Sequence, residues 1–156
     1  MSGWKRRILP LLLVLALLLP GCGSKSAGTA DLQQVYDGLG SHVELPEMLV
    51  LNEQRIRNYY GIDPESCRQC ILAVSDDGLR VDEIWLIEAG DEKSAEELLA
   101  AARSRIEQVC RETQDYLPEQ YAVAKDAQAL RVGSSVALFI SPDAKEMADI
   151  FTKAFH

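Results

Sequence analysis

The first 21 residues differ sharply from the rest of the chain, and this limits how much of the sequence can enter a folded domain. Residues 5–7 are all basic, and residues 8–19 form an apolar run interrupted by a single proline. A membrane-spanning helix needs about 20 apolar residues, so this run is too short to be one. A basic segment, a short apolar segment and then a small residue are typical of an export signal. We therefore predict that residues 1–21 form a signal peptide.

The apolar run ends in a short motif, Leu19-Pro20-Gly21-Cys22. This motif resembles the lipobox of bacterial lipoproteins, in which the cysteine is diacylated on sulfur and becomes the new N-terminus. Leu19, Gly21 and Cys22 match the pattern, whereas Pro20 replaces the usual small or β-branched residue. The resemblance implies a lipoprotein anchored through Cys22 at the outer face of the cell membrane. The alternative is an ordinary signal peptide in which Cys22 has no role.

The segment after the motif is small and polar, which is typical of a tether. Residues 22–30 would then comprise the lipidated cysteine and a flexible linker that spans roughly 16 Å. Two acyl chains hold a protein stably, because each buried CH₂ contributes ~0.8 kcal/mol. We expect residues 31–156 to form one domain of a size that can bury a core without disulfides.

The charge of the chain disfavours several function classes. Without residues 1–21 the chain carries 13 Lys+Arg against 24 Asp+Glu, a net charge of −11. A nucleic-acid partner needs a basic face, so we expect none. An anionic bilayer would repel this domain, so the expected membrane contact is the lipid anchor alone.

Catalytic groups are also scarce in this sequence. His42 and His156 are the two histidines, and residues 133–136 do not match the G-x-S-x-G pattern of a serine hydrolase. The acidic turn at residues 76–78 lacks the spacing of a calcium loop and has the Asp-Gly chemistry of a hairpin. We therefore expect a protein that is not an enzyme, with no catalytic residue, no cofactor and no metal site.

Apolar spacing and capping residues predict four helices. The first has a stripe at i, i+3, i+4 and i+7, formed by Leu32, Val35, Tyr36 and Leu39. Asn52 as N-cap and Gly61 as the stop delimit the second helix. A long third helix is expected to start at Ser94, which has capping-box spacing to Glu97. Ser141-Pro142 predicts the start of a last helix, with inner-face residues Ala144, Ala148, Phe151 and Phe155.

Two β-hairpins are predicted among these helices. Residues 70–74 and 83–87 flank one turn, and residues 127–132 and 136–140 flank another. The order of elements predicts an α+β fold, a small antiparallel sheet of about four strands with helices packed on it. We expect the long helix and the last helix to share one face. The other face would be covered by the first two helices or by another protein.

Several short motifs resemble those of a family of small, functionally uncharacterised lipoproteins of Gram-positive bacteria. The residues that carry the resemblance are Tyr59-Tyr60-Gly61-Ile62-Asp63, Asp82-Glu83-Ile84, Arg105, Tyr121 and Gly133. It extends over most of residues 31–156. The resemblance implies an exported protein with one compact domain, and it implies no particular reaction.

Cys67-Arg68-Gln69-Cys70 is the sharpest chemical motif in the domain. A structural zinc site needs four ligands, and the sequence offers only Cys110 and two distant histidines in addition. A thioredoxin-like pair begins a helix, whereas this pair precedes a predicted strand. In an extended segment Cys67 and Cys70 would be ~10 Å apart, too far for a disulfide unless the chain turns there. Buried structural thiols, a disulfide and a redox pair remain as alternatives.

Three aromatic residues could form a binding patch for a ligand or a partner, namely Tyr59, Tyr60 and Trp85. Their spacing is equally compatible with core positions. The sequence thus leads to three functional hypotheses. The first is a membrane-anchored, non-catalytic accessory domain that binds an unknown protein. The second is a small-ligand-binding lipoprotein with a pocket near these aromatics, and the third is a thiol-disulfide redox protein that uses Cys67 and Cys70.

Overall fold

The computed structural model describes residues 28–156, so the predicted signal peptide, Cys22 and most of the tether lie outside the described part. Residues 28–156 have an α+β fold, as predicted. The helices are α1 (Leu32–Leu39), α2 (Glu53–Tyr60), α3 (Glu92–Thr113), α4 (Pro118–Lys125) and α5 (Ala144–Lys153). The strands are β1 (Met48–Val50), β2 (Cys67–Ser75), β3 (Glu83–Ala89), β4 (Gln128–Val132) and β5 (Ser135–Ile140).

The five strands form one antiparallel sheet in the order β1-β2-β3-β5-β4. Both predicted hairpins, β2–β3 and β4–β5, are confirmed. They are joined by pairing of the central strands β3 and β5, with Trp85 opposite Leu138. The sheet has one strand more than predicted, because β1 has only three residues and too short an apolar pattern to be recognised in the sequence.

Every residue of β3 and β5 is buried, so the centre of the sheet is covered on both faces. Successive side chains of a strand point to opposite faces. Ile84, Leu86 and Phe139 therefore lie on one face, and Trp85 and Leu138 lie on the other. Strands buried on both faces are expected to be almost continuously apolar, and these two are apolar except for Glu83 and Glu88 of β3 and Ser135 of β5.

Helices cover both faces, which gives three layers. The first face packs against α1 and α5, through Leu39 and Phe151 among others. The second face packs against α2, α3 and α4, through Ile56, Val109 and Ala124. The expectation that the long helix and the last helix share a face is therefore wrong. Because helices of the same chain cover both faces, burial of the sheet requires no second protein.

The two shortest predicted helices have hydrogen-bonded N-caps, of which Asn52 was predicted and Asp31 was not. Asp31 accepts hydrogen bonds from two backbone N–H groups at the start of α1. Asn52 accepts from the Arg55 N–H at 3.0 Å, and Gly61 ends α2. These helices agree with the sequence because their caps use contacts within a few residues.

The starts of two other helices differ from the prediction. The N-cap of α3 is Asp91, which accepts a hydrogen bond from the Ser94 N–H at 2.8 Å, so Ser94 lies inside the helix. Ser141 accepts from the Asp143 N–H at 3.2 Å, and α5 begins at Ala144. Helix α4 is not among the four predicted helices, and Pro118 lies at its beginning.

Replacing Gly61 by alanine is expected to destabilise the protein by about 1–2 kcal/mol. Gly61 has φ +67°, and an added Cβ would meet no atom within 4 Å, so the cost comes from the backbone alone. Urea unfolding followed by circular dichroism measures the effect. Gly40→Ala is the matched control, because Gly40 has φ −63° and equally open surroundings. A loss no larger for Gly61→Ala than for this control would contradict the prediction.

Candidate functional site

The three predicted patch residues do not form one accessible surface. Tyr60, on the last turn of α2, contacts the Trp85 ring edge-on, with ring centroids 5.2 Å apart. Trp85 is 2% exposed, whereas Tyr59 is 75% exposed. The structure thus brings Tyr60 and Trp85 together inside the second face and leaves Tyr59 at the surface.

A buried ion pair lies beside these two aromatic rings. The Trp85 indole N–H donates to Glu83 Oε1 at 2.7 Å. Arg105 of α3 donates from Nε to both carboxylate oxygens, at 3.1 and 3.0 Å, and from Nη2 to Oε2 at 2.8 Å. Its guanidinium lies 5.5 Å from the centroid of the Tyr60 ring. We call Tyr60, Glu83, Trp85 and Arg105 the Glu83 cluster.

Charged and polar groups of the Glu83 cluster form hydrogen bonds with one another. The Glu83 side chain is 3% exposed, and both of its oxygens accept hydrogen bonds from Arg105. Burial, and next the negative charge of Glu83, raise the pKa of the Tyr60 hydroxyl well above its ordinary value. The Glu83 carboxylate is thus hydrogen-bonded to Arg105 and to the Trp85 indole. The cluster therefore connects α2, β3 and α3.

Tyr60, Glu83 and Arg105 are among the residues that carry the family resemblance in the sequence, but the sequence indicates no shared role for them. They are 22 or more positions apart along the chain, and the fold alone brings them into contact. The sequence contains one indication of this contact, because Arg105 lies on the otherwise apolar stripe of α3 that includes Ala102 and Val109. A charged residue on a buried helix face implies a buried partner of opposite charge.

The three described cysteines have free thiols that are partly buried against the second-face core. Burial raises the pKa of the Cys67 thiol and raises that of Cys70 to about 12. Reactive cysteines of redox enzymes have the opposite perturbation, a lowered pKa. Cys67 and Cys70 thus lack the thiolate character of a thioredoxin-like pair.

The acidic turn between β2 and β3 has ordinary hairpin chemistry. Asp77 Oδ1 accepts from the Leu79 N–H at 2.9 Å, and the Asp77 carbonyl accepts from the Arg80 N–H at 3.0 Å. Within residues 28–156, no group of three or more His, Cys, Asp or Glu side chains is arranged to hold a metal ion. Among the helices in this range, none is both long and apolar enough to span a bilayer.

The described chain enters the domain at one end of the sheet. Gln69, near the start of β2, accepts from the Leu32 N–H at 2.8 Å. Its amide N–H₂ donates to the Ala30 carbonyl at 2.9 Å and to Glu88 at 2.7 Å. We call this end, marked by Ala30, Gln69 and Glu88, the proximal end. The opposite end of β2 leads into residues 76–82, which mark the distal end.

An open groove lies at the distal end. Its volume is about 430 Å³, and its lining residues are Leu79, Arg80, Tyr116, Leu117, Pro118, Glu119 and Gln120. Leu79 is 70% exposed, Tyr116 85% and Leu117 36%. These are three of the six large apolar side chains that are exposed within residues 28–156. We call this surface the distal groove.

Hydrogen bonds connect the two walls of the distal groove. Gln120 of α4 accepts from the Val81 N–H in the β2–β3 loop at 3.0 Å. On the helical side, the Leu117 N–H donates to the Thr113 carbonyl at 2.9 Å. The exposed apolar side chains are therefore presented by backbone segments that are bonded to the rest of the domain.

The rim of the distal groove is acidic. Arg80 donates to both oxygens of Asp82, at 2.9 and 3.2 Å, so its charge is compensated within the domain. Glu119 is the carboxylate in the groove lining, and Asp76, Asp77 and Asp115 are exposed residues of the two chain segments that supply the lining. The distal groove thus combines apolar lining residues with acidic flanking segments.

A smaller cavity lies beside the Glu83 cluster. It has a volume of about 200 Å³, and Glu83, Arg105 and Glu112 are among its lining residues. Pockets for small organic ligands usually measure about 300–1,000 Å³. This cavity is therefore small for the ligand-binding hypothesis, and two of its charged lining residues, Glu83 and Arg105, already pair with each other.

The family of the chain follows from residues 41–141, which match the model of a domain of unknown function, DUF4358. The chain belongs to the DUF4358 family. This agrees with the resemblance to an uncharacterised family, and the membership brings no activity with it. Searches among curated proteins and among solved structures found no match to this chain.

The DUF4358 region contains the whole sheet, the Glu83 cluster and the distal groove. Helices α1 and α5 lie outside the matched residues. They nevertheless bury the first face of the sheet, through Leu32, Leu39 and Phe151. The folded unit of this DUF4358 protein is thus larger than the matched region.

Proposed function

We propose that this protein is a lipid-anchored, non-catalytic accessory domain at the outer face of the cell membrane, and that it binds another protein through the distal groove. The observation that carries the proposal is the concentration of exposed apolar side chains, Leu79, Tyr116 and Leu117, in one groove. Exposed apolar groups that cluster, rather than being scattered singly, mark interaction sites.

The position of the groove relative to the proposed anchor supports this function. The tether from Cys22 would join the domain at the proximal end, where Gln69 binds Ala30. From Gln69 to Ser75, β2 extends about 20 Å at 3.3 Å per residue. The groove lies beyond Ser75. A domain held by its proximal end would therefore present the distal groove away from the bilayer.

The chemistry of the groove selects one kind of partner. Its apolar lining favours apolar side chains, and the exposed carboxylates of Glu119 in the lining and of Asp77 and Asp115 in the flanking segments favour Lys or Arg around them. Charge complementarity of this kind accelerates association and rejects acidic partners. The expected occupant is a segment of an exported or membrane-exposed protein with apolar residues flanked by basic ones.

The other two hypotheses have less support. The cavity beside the Glu83 cluster is only about 200 Å³, which disfavours a small organic ligand near Tyr60 and Trp85. The raised pKa of Cys70, about 12, disfavours a thiol-disulfide enzyme. The two-sided apolar strands no longer favour a partner, because helices cover both faces.

Site-specific cross-linking in intact cells tests the proposal. A photo-reactive amino acid at position 79 or 116 is expected to capture one protein, through a segment that contains Lys or Arg. The combined change Leu79→Asp and Tyr116→Asp is expected to lower binding of that protein at least ~10-fold, equivalent to 1.4 kcal/mol. Raising the salt concentration should weaken binding further, because exposed charges are screened.

Position 59 supplies the matched control, since Tyr59 is also exposed but lies on α2, outside the groove. Tyr59→Asp should leave binding unchanged. Equal capture from positions 59 and 79, or no capture at all, would refute the groove. Cys22→Ala tests the anchor separately, because it should release the protein from the membrane fraction while the soluble domain still binds the captured partner.

A further inference from the structure

A β-bulge interrupts the start of β2. Cys67 lies opposite Ala89 of β3, and Cys70 lies opposite Ile87. Cys67 and Cys70 are three positions apart on β2, but their partners on β3 are only two positions apart. The register shift falls between Cys67 and Gln69. An extra residue of this kind is the defining property of a bulge.

The bulge changes the geometry that the sequence predicts for the cysteine pair. In a regular strand, residues three apart are ~10 Å apart and point to opposite faces. Here Cys67 and Cys70 lie opposite two β3 residues that are two positions apart. Their Cα atoms are therefore only ~6.8 Å apart, and both side chains point to the same face of the sheet. Both side chains accordingly pack against the second-face core.

The two thiols also lie near each other. Each of Cys67 and Cys70 affects the pKa of the other thiol. The Cys67 thiol additionally contacts the Asp63 carbonyl at 3.6 Å, which places it beside the segment that precedes β2. Disulfides have Cα–Cα separations of about 4.4–6.8 Å, so the span across the bulge lies at the upper end of that range.

We infer that Cys67 and Cys70 form an intramolecular disulfide across the β2 bulge when a disulfide donor is present. One thiolate attacks a sulfur of the donor and forms a mixed disulfide, releasing the first donor thiol. The other thiolate then attacks the protein sulfur of that mixed disulfide and releases the second donor thiol. The protein thiols are oxidised, the donor disulfide is reduced, and the two protons pass to the departing donor thiols.

The pair forms a structural link rather than a catalytic centre. Burial raises the pKa of both thiols, so little thiolate exists at neutral pH and exchange is slow in either direction. Because both side chains are only partly buried, a small donor can still reach them. In cells the inference rests on the proposed export, since cytosolic thiols are kept reduced.

Oxidised glutathione provides the donor for a test with the purified full-length chain, independent of its location in cells. After oxidation, blocking of free thiols and unfolding, trypsin is expected to release peptides 58–68 and 69–80 as one linked species, because Arg68 separates the two cysteines. This species should account for most of the Cys67-containing material, and reductant should resolve it into the two peptides. Cys110 should remain free.

Cys70→Ser is the matched control, because it keeps Arg68 and the bulge but removes one of the two thiols. We expect no linked peptides from this variant, with circular dichroism verifying that it folds. Cys110→Ser should still yield the linked peptides, because Cys110 takes no part in the disulfide. A stable glutathione adduct on Cys67 alone, a link to Cys110, or unreacted thiols throughout would overturn the inference.

Discussion

Replacing Arg105 by alanine is expected to lower the free energy of unfolding by about 3–5 kcal/mol. The substitution leaves the Glu83 carboxylate, whose side chain is 3% exposed, without its cationic partner. The desolvation penalty of a buried charge is then not offset by attraction to a counter-charge. A typical domain has only about 5–15 kcal/mol of total stability, so this variant should be close to unfolding.

Urea unfolding followed by circular dichroism measures the loss, and Trp85 provides a second probe because it lies inside the Glu83 cluster. Arg103→Ala is the matched control, since Arg103 is an exposed arginine on the same helix. Its effect should stay within about 0.5 kcal/mol. The double variant Glu83→Gln with Arg105→Ala should recover part of the stability, because it removes the stranded charge. Equal losses for Arg103→Ala and Arg105→Ala would contradict the structural role of the cluster.

Replacing Phe139 by alanine is expected to cost a similar amount, about 3–5 kcal/mol, for a different reason. Phe139 lies near the end of the central strand β5, is fully buried, and packs edge-on against Phe151 of α5, with ring centroids 6.3 Å apart. The substitution removes apolar contact and leaves a cavity between the sheet and α5. The loss should be independent of salt concentration, unlike an effect that depends on surface charge.

Equilibrium unfolding again provides the measurement. Phe139→Leu retains most of the volume and should cost less than about 1.5 kcal/mol. Val50→Ala, at an edge-strand position that is 52% exposed, should have an effect within about 0.5 kcal/mol. If Phe139→Ala proved as mild as Val50→Ala, packing of α5 on the sheet would not contribute to stability.

The elements that could be predicted from the sequence depend on contacts within a few residues. Helices α1 and α2 have N-caps at Asp31 and Asn52, and the hairpin connections contain Asp77-Gly78 and Gly133. Strand β1 and helix α4 were missed because neither has such a pattern. Strand β1 has three residues, and the one apolar position of α4 that is fully buried is Ala124.

The candidate sites depended more heavily on the tertiary structure. Tyr59, Tyr60 and Trp85 were grouped by residue type, yet the fold separates exposed Tyr59 from buried Trp85. Leu79 and Tyr116 of the distal groove are 37 positions apart, and nothing near either residue in the sequence indicates the other. The bulge at Arg68 was equally unforeseen, because it exists only through pairing of β2 with β3.

The sequence by itself therefore determined the α+β class, the two hairpins, four of the five described helices and the acidic charge, and it supports the prediction of an anchor at Cys22. Each of these follows from residue type and short-range spacing. The tertiary structure decided the order of the strands, the covering of both sheet faces, the partners of Glu83 and Cys67, and the location of the exposed apolar groove. These depend on which distant segments pack together, and packing is set by the burial of apolar surface, a non-directional force that no local spacing encodes.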